Sequence, residues 1–130
     1  IQNAPNNIDF YSLQRDDGTE SLYKMNNFTK VTPLHDKLES LEDALGAIAN
    51  LDLVITSCTS IAHISAAMGV PTWIGTVQLP YYIWICKKDT WYKNVTLYQK
   101  PKYNDWDTPF SKIEKDLPTF INKLEKEEKN

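Results

Sequence analysis

The chain has 130 residues, of which 42% are hydrophobic, enough to bury one core without metal or disulfide support. Its net charge of -3 and its lack of a basic stripe interleaved with aromatic residues argue against nucleic-acid binding. No apolar run approaches the roughly 20 residues that span a bilayer, so we expect no transmembrane segment.

The two cysteines, Cys58 and Cys86, stand far apart without CxxC or CxxH spacing. This spacing predicts neither a zinc site nor a disulfide framework and favours a reducing, cytoplasmic compartment. We expect residues 1–130 to form a single domain. The polar residues 1–7 are typical of the remnant of a linker, and the charged residues 125–130 of a frayed helix end.

The first part of the chain predicts two short strands and two helices. "IDFYSL" favours a strand, "TESLYKM" a short helix that Thr19 could cap, and "FTKVTPL" a second strand broken at Pro33. Ser40 and Asp43 form a variant of the capping box, which predicts that a helix begins here and ends at Asn50. Its apolar stripe consists of Leu41, Ala44, Leu45, Ile48 and Ala49.

The second part continues the alternation of strands and helices. "LDLVI" is typical of a parallel strand buried on both faces, "SIAHISAAMG" predicts a helix ended by Gly69, and "VPTWIG" and "VTLYQ" predict strands. The last predicted helix, from "WDTPF" onward, is expected to break or restart at Pro118, after a cap by Asp107 and a packed Trp106 ring. Such alternation indicates an α/β fold: a Rossmann-like, doubly wound parallel sheet in three αβα layers.

Small polar side chains are concentrated in "ITSCTSIAH", where the apolar strand ends and the next helix begins. In open parallel sheets, ligands bind beyond the carboxyl ends of the strands. If Thr59 caps the helix, the N–H groups of Ser60, Ile61 and Ala62 face outward and favour an anion such as a phosphate. An ordinary N-cap and tight turn would explain Thr59 equally well.

His63 lies one turn into this helix, on the same face as Thr59 and Ser60, so its ring could lie beside a bound anion. A catalytic role for Cys58 is less favoured than that of a small buried apolar residue. The small residues Ala62, Ser65, Ala66 and Gly69 predict close packing of the helix on the sheet. The aromatic segment 79–92 is expected to serve core or interdomain packing, with a stacking wall for a ligand as the alternative.

The stretch "LDLVITSCTSIAHISAAMGVPTWI" resembles the signature of heptosyltransferase-like glycosyltransferases of family 9, especially those fused behind tetratricopeptide repeats. In that family an apolar strand and a short polar turn precede an "AH" helix and a second strand. "FYSLQRDDGTESL", "WYKNVTLYQKP" and "NDWDTPFSKI" are similar to further segments of the same domain, in the same order. The resemblance extends from about residue 9 to residue 117.

The resemblance implies that the chain is the C-terminal, donor-binding half of a GT-B glycosyltransferase, which holds a nucleotide-diphosphate sugar without a metal or other cofactor. It places the diphosphate at Thr59 and Ser60, with Ser57, Cys58 and His63 nearby, and it assigns Ser12, Gln14 and Arg15 to the same cleft. The implied partners are the donor and an N-terminal half or repeat region. Because the acceptor site and general base belong to that other half, no catalytic residue is assigned. Classical heptosyltransferases carry Asp at the position of Cys58, so their sugar specificity does not transfer.

Two other functions fit the sequence. One is a degenerate α/β module that packs on a partner protein or on helical repeats and binds no nucleotide. The other is a phosphoacceptor receiver domain, which is less favoured because the strand ends show no acidic pair with a lysine.

Overall fold

The computed structural model describes residues 1, 3–15, 19–24, 30–78 and 91–130. The chain divides into two compact units, residues 1–46 and 47–130. The strands within each unit are parallel, which confirms the predicted Rossmann-like α/β class.

The first unit contains a two-stranded parallel sheet. Its elements are β1 (Phe10–Ser12), α1 (Thr19–Tyr23), β2 (Val31–Pro33) and the beginning of α2 (Leu41–Ala49). In the register, Phe10 lies opposite Val31 and Ser12 opposite Pro33. Each of these elements lies where the sequence predicted it, although the two strands are shorter.

The capping box at the start of α2 is confirmed. The Ser40 N–H donates to Asp43 Oδ2 over 3.0 Å, and the Asp43 N–H donates to Ser40 Oγ over 3.1 Å. Each side chain therefore satisfies a donor of the other residue, so α2 begins at a defined position. The hydrogen bond from the Ser40 N–H to the Asp43 carboxylate also holds the pKa of Asp43 below its ordinary value.

The second unit contains a three-stranded parallel sheet in the order β3-β4-β5. Its elements are β3 (Val54–Ser57), α3 (Ser60–Ala67), β4 (Thr72–Thr76), β5 (Val95–Gln99) and α4 (Asp107–Glu128). Thr72 of β4 lies opposite Val54 of β3 and Val95 of β5. All three carboxyl ends therefore lie at one edge of this sheet.

Helices α3 and α4 lie on opposite faces of this sheet. Successive side chains of a strand point to opposite faces, and the neighbours Trp73 and Ile74 of β4 contact different helices. Ile74 is fully buried against Ala62 of α3. The Trp73 ring packs against Phe120 of α4, with ring centroids 5.5 Å apart. The second unit thus has the predicted αβα layering.

Helix α3 is held by its predicted stripe of small residues, of which Ala62, Ser65 and Ala66 are buried. Gly69 differs from them, because it is exposed and has a φ of 82°. Its N–H donates to the Ala66 carbonyl and the Val70 N–H to the Ser65 carbonyl, which is a Schellman motif. Gly69 therefore ends the helix, as predicted, and does not pack on the sheet.

Strand β3 is not buried on both faces, contrary to the prediction from "LDLVI". Val54 is buried, but Ile55, on the face that carries Trp73, is 42% exposed. The strand also begins later than predicted and extends through Thr56 to Ser57. An apolar run shows that a strand is hydrophobic, whereas tertiary packing decides how many of its faces are covered.

Helix α4 runs without a break through Pro118, so the predicted interruption is wrong. A proline inside a helix removes one N–H donor and leaves the carbonyl four residues earlier without its partner. That carbonyl belongs to Glu114, and both residues are exposed. Water can satisfy the free carbonyl, which lowers the cost of the proline.

The start of α4 is capped by Asp105, and not by Asp107 as predicted. The Thr108 N–H and hydroxyl donate to the two carboxylate oxygens of Asp105 over 3.0 and 2.7 Å. These bonds, led by that from the N–H, hold the pKa of Asp105 below its ordinary value. Trp106 packs as expected, with its ring edge 3.6 Å from where a Cβ of Gly75 would lie.

Candidate functional site

The predicted anion site lies at the carboxyl end of β3, where the chain turns into α3. The turn is tight, because the Thr59 N–H donates to the Ser57 carbonyl over 2.8 Å. Four consecutive residues are exposed here: Ser57, Cys58, Thr59 and Ser60. Among the described residues, small exposed side chains therefore precede and begin the first turn of α3.

Thr59 occupies the predicted N-cap position with an extended backbone, φ -127° and ψ 178°. Within the described residues, however, its hydroxyl makes no capping hydrogen bond; it lies 3.4 Å from the hydroxyl oxygen of Thr56. The expected side-chain cap is therefore wrong. As a result, the cap residue does not occupy the N–H donors of the helix end.

The number of available donors is smaller than predicted. The Ala62 N–H donates to the Thr59 carbonyl over 3.1 Å, so it is already bonded. The N–H groups of Ser60 and Ile61 precede the first intrahelical bond and have no carbonyl of α3 to bind. An anion at this end would be bound by these two groups.

The electrostatics of the first turn favour an anion. Aligned peptide dipoles place about half a positive charge at a helix N-terminus. The first turn of α3 contains no acidic residue that could neutralise it. By contrast, α2 and α4 each have acidic side chains in the first turn.

His63 is half-buried and contacts Tyr92, which lies in the segment before β5. Its Nδ1 lies 3.2 Å from the hydroxyl oxygen of Tyr92, and the two rings meet edge to face with centroids 5.9 Å apart. Tyr92 also packs against the cluster of Ala62 and Ile74. Tyr92 was not among the predicted site residues, because it lies 29 residues away in a segment interpreted as packing.

Cys58 is exposed, so its interpretation as a buried small residue is wrong. It lies in the turn between β3 and α3, outside both elements, where its side chain does not reach the core. Cys86, and with it residues 79–90 of the aromatic segment, lies outside the described residues.

The remaining predicted residues belong to the first unit. Ser12 is the last residue of β1, and its carbonyl accepts the Leu34 N–H over 3.0 Å. Gln14 and Arg15 follow and are exposed, with the Gln14 N–H 3.4 Å from Ser12 Oγ. The structure thus brings Ser12, Gln14 and Arg15 together in the first unit, and Ser57 to Ser60 with His63 in the second.

Two further observations concern the described residues as a whole. They contain no group of three His, Cys, Asp or Glu side chains placed to hold a metal ion. Among their helices, none combines the length and apolar character that crossing a bilayer requires.

Comparison of the chain with family models, curated proteins and solved structures gave no match.

Proposed function

We propose that the chain binds the diphosphate of a nucleotide sugar at the N-terminus of α3, as the donor-binding half of a metal-independent glycosyltransferase. The observation that carries this proposal is the first turn of α3. It lies at the carboxyl edge of a parallel sheet, has exposed small side chains, and contains no carboxylate that would compete for its donors.

The proposed role of these groups is to stabilise negative charge. The N–H groups of Ser60 and Ile61 donate to phosphate oxygens, and the hydroxyls of Thr59 and Ser60 add rotatable donors. When the glycosidic bond to the diphosphate breaks, charge accumulates on the leaving phosphate. Fixed dipoles at that oxygen stabilise the transition state in the way that a metal ion does in other transferases.

The acceptor and the general base are proposed to come from another half of the enzyme. We therefore expect the chain alone to bind the donor without turning it over. His63, whose Nδ1 lies close to Tyr92, is proposed to border the bound donor and is assigned no proton transfer. Ser12, Gln14 and Arg15 stay predictions of the resemblance.

The test is calorimetric titration of the chain with UDP, GDP, ADP, CMP and their common sugars. The decisive variant is Ser60→Asp, because a carboxylate at the start of a helix favours the helix but repels a phosphate. We expect this variant to keep or raise the unfolding temperature and to lose binding by at least about tenfold. Ser111→Asp, at an exposed serine of α4, is the matched control and should bind normally.

Two outcomes would contradict the proposal. If Ser60→Asp binds the nucleotide as tightly as the wild type, the ligand lies elsewhere. If the folded wild type binds no member of the panel at millimolar concentration, the chain is not a donor-binding domain.

A packing module is the second candidate, and exposed apolar side chains of the second unit favour it. Ile55, Trp91 and Phe110 are 42%, 64% and 58% exposed. Large apolar side chains that are exposed in this way can serve as binding surfaces for other proteins. Titration with a purified tetratricopeptide-repeat segment tests this function: micromolar binding that Phe110→Ser abolishes, without any nucleotide binding, would favour it over the first.

A further inference from the structure

Thr76, the last residue of β4, carries a buried hydroxyl that no other described residue satisfies. The residue is 1% exposed, and its hydroxyl oxygen has no hydrogen-bond partner among the described residues. Its backbone carbonyl, by contrast, accepts the Lys100 N–H over 3.0 Å. A buried hydroxyl without a partner costs free energy, and valine would fill the same space without that cost.

The side chain of Thr76 lies on the α3 face of the sheet, at the carboxyl end of β4. Thr72, Ile74 and Thr76 share one face by alternation. Thr72 Oγ1 lies 2.9 Å from Ser65 Oγ, and Ile74 packs against Ala62. Moving two residues along β4, from Thr72 to Ile74, thus corresponds to moving three residues toward the N-terminus of α3, from Ser65 to Ala62. The same step from Ile74 and Ala62 would match Thr76 with Thr59.

A second strand brings another hydroxyl to the same place. Thr56 of β3 pairs with Ile74, so its side chain is on the same face, and its hydroxyl oxygen lies 3.4 Å from that of Thr59. The hydroxyls of the exposed Thr59 and the half-buried Thr56 therefore lie together at the start of α3, on the sheet face that also carries the buried Thr76.

We propose that the Thr76 hydroxyl is the innermost hydrogen-bond donor to a phosphate group bound at the N-terminus of α3. This inference rests on the proposed function, and it adds a residue from β4 to a site otherwise made by the β3–α3 turn. A hydroxyl donates readily to an anionic oxygen, and the bond is stronger than one between neutral groups. Because the whole residue is 1% exposed, the side chains that cover the Thr76 hydroxyl must move before a phosphate can reach it.

The inference explains why a threonine occupies a position that suits valine. Groups that bind ligands are commonly kept at a cost in stability. Thr76→Val should therefore leave the midpoint of urea unfolding unchanged or raise it, and should weaken the binding of inorganic pyrophosphate at least about tenfold. Thr76→Ser retains the hydroxyl and should bind pyrophosphate within about threefold of the wild type.

Thr72→Val is the matched control, because Thr72 is a buried threonine of the same strand and face whose hydroxyl has partners. It should lower the unfolding midpoint without changing pyrophosphate affinity. Binding is followed by calorimetry and by the amide NMR signals of Ser60 and Ile61, which locate the anion at the helix end.

The outcomes separate this inference from the proposed function. If the wild type binds pyrophosphate and Ser60→Asp does not, but Thr76→Val binds it normally, the role of Thr76 is wrong and the proposed site stands. If Thr76→Val and Thr76→Ser lose stability and binding equally, the packing of the whole threonine side chain, and not its hydroxyl, supports the site, which also overturns the inference. If the wild type binds neither pyrophosphate nor any nucleotide, both proposals fail.

Discussion

The Thr72 hydroxyl donates to Ser65 Oγ over 2.9 Å and thereby joins β4 to α3 inside the core of the second unit. Each group also has a backbone partner. Ser65 donates to the Ile61 carbonyl over 2.7 Å, and Thr72 lies 2.8 Å from the Val70 carbonyl. The pair therefore fixes the register of the helix on the strand without leaving an unsatisfied group.

We expect Thr72→Val to lower the free energy of unfolding by about 1 kcal/mol. The cost is moderate because valine preserves the shape of the side chain and Ser65 keeps its bond to Ile61. Urea unfolding measures the difference, and Thr96→Val, at an exposed threonine of β5, is the control that should change little. Equal stability of Thr72→Val and the wild type would show that the hydroxyl bridge adds nothing beyond packing.

Alanine should have opposite effects at two glycines. Gly69 has a φ of 82°, where a Cβ is strained, so Gly69→Ala should cost about 1–2 kcal/mol. Gly46 lies inside α2, and a Cβ there meets nothing within 4 Å. Gly46→Ala should therefore stabilise the chain by roughly 0.5–1 kcal/mol, because alanine loses less backbone entropy in a helix.

Thermal unfolding of the two variants beside the wild type is the measurement. If both substitutions shift the unfolding temperature in the same direction, the difference in backbone conformation between the two glycines is not what determines their stability.

The capping box of α2 should make stability depend on acid pH. The pKa of Asp43 is lowered in the folded chain, chiefly by the Ser40 N–H, so ionised Asp43 stabilises the fold above its unfolded pKa. That contribution disappears as the pH falls below about 4 and Asp43 becomes protonated. We therefore expect Asp43→Asn to be less stable than the wild type at pH 7 and to approach it near pH 2.

Urea unfolding of both proteins from pH 2 to pH 7 tests this expectation. Adding Ser40→Ala to Asp43→Asn should not change the pH dependence further, because the carboxylate that titrates is already absent. A constant difference between the wild type and Asp43→Asn over the whole range would contradict the assigned role of the carboxylate.

The parts of the fold that the sequence predicted correctly are those set by neighbouring residues. The capping box of Ser40 and Asp43 fixes the start of α2, and Gly69 ends α3. In both cases the hydrogen bonds join residues that are only a few positions apart in the sequence. Pro118 was misinterpreted because its cost depends on whether the Glu114 carbonyl reaches water. Ile55 was misinterpreted because an apolar side chain can remain exposed beside a buried one.

In the candidate site, too, the features set by neighbouring residues were predictable and those set by tertiary packing were not. The position of Thr59 at the start of α3 follows from local sequence, but the orientation of its hydroxyl toward Thr56 does not. The contact of His63 with Tyr92 joins residues 29 apart and depends on the packing of the second unit. Thr76 could have been noticed, because it is a polar residue at the carboxyl end of a predicted strand, where ligands bind in parallel sheets.

Lys100 is buried among aromatic rings just after β5. The residue is 7% exposed, and its ammonium group lies 4.7 Å from the ring centroid of Trp106 and 5.1 Å from that of Tyr103. It also donates to the Tyr103 carbonyl. These contacts hold the segment between β5 and α4 around the lysine, with the Trp106 ring against Gly75.

The single variant Lys100→Met is ambiguous, since it loses a cation–π contact and also removes the cost of burying a charge. A double-mutant cycle with Trp106→Leu isolates the interaction, and we expect a coupling of about 1 kcal/mol between the two side chains. The control is a second double-mutant cycle, between Lys100 and Phe110. The Phe110 ring packs against the Trp106 ring, with centroids 6.2 Å apart, and not over the ammonium group. Its coupling to Lys100 should be below about 0.5 kcal/mol. Equal coupling in the two cycles would mean that the lysine holds the segment through the apolar part of its side chain, and not through its charge.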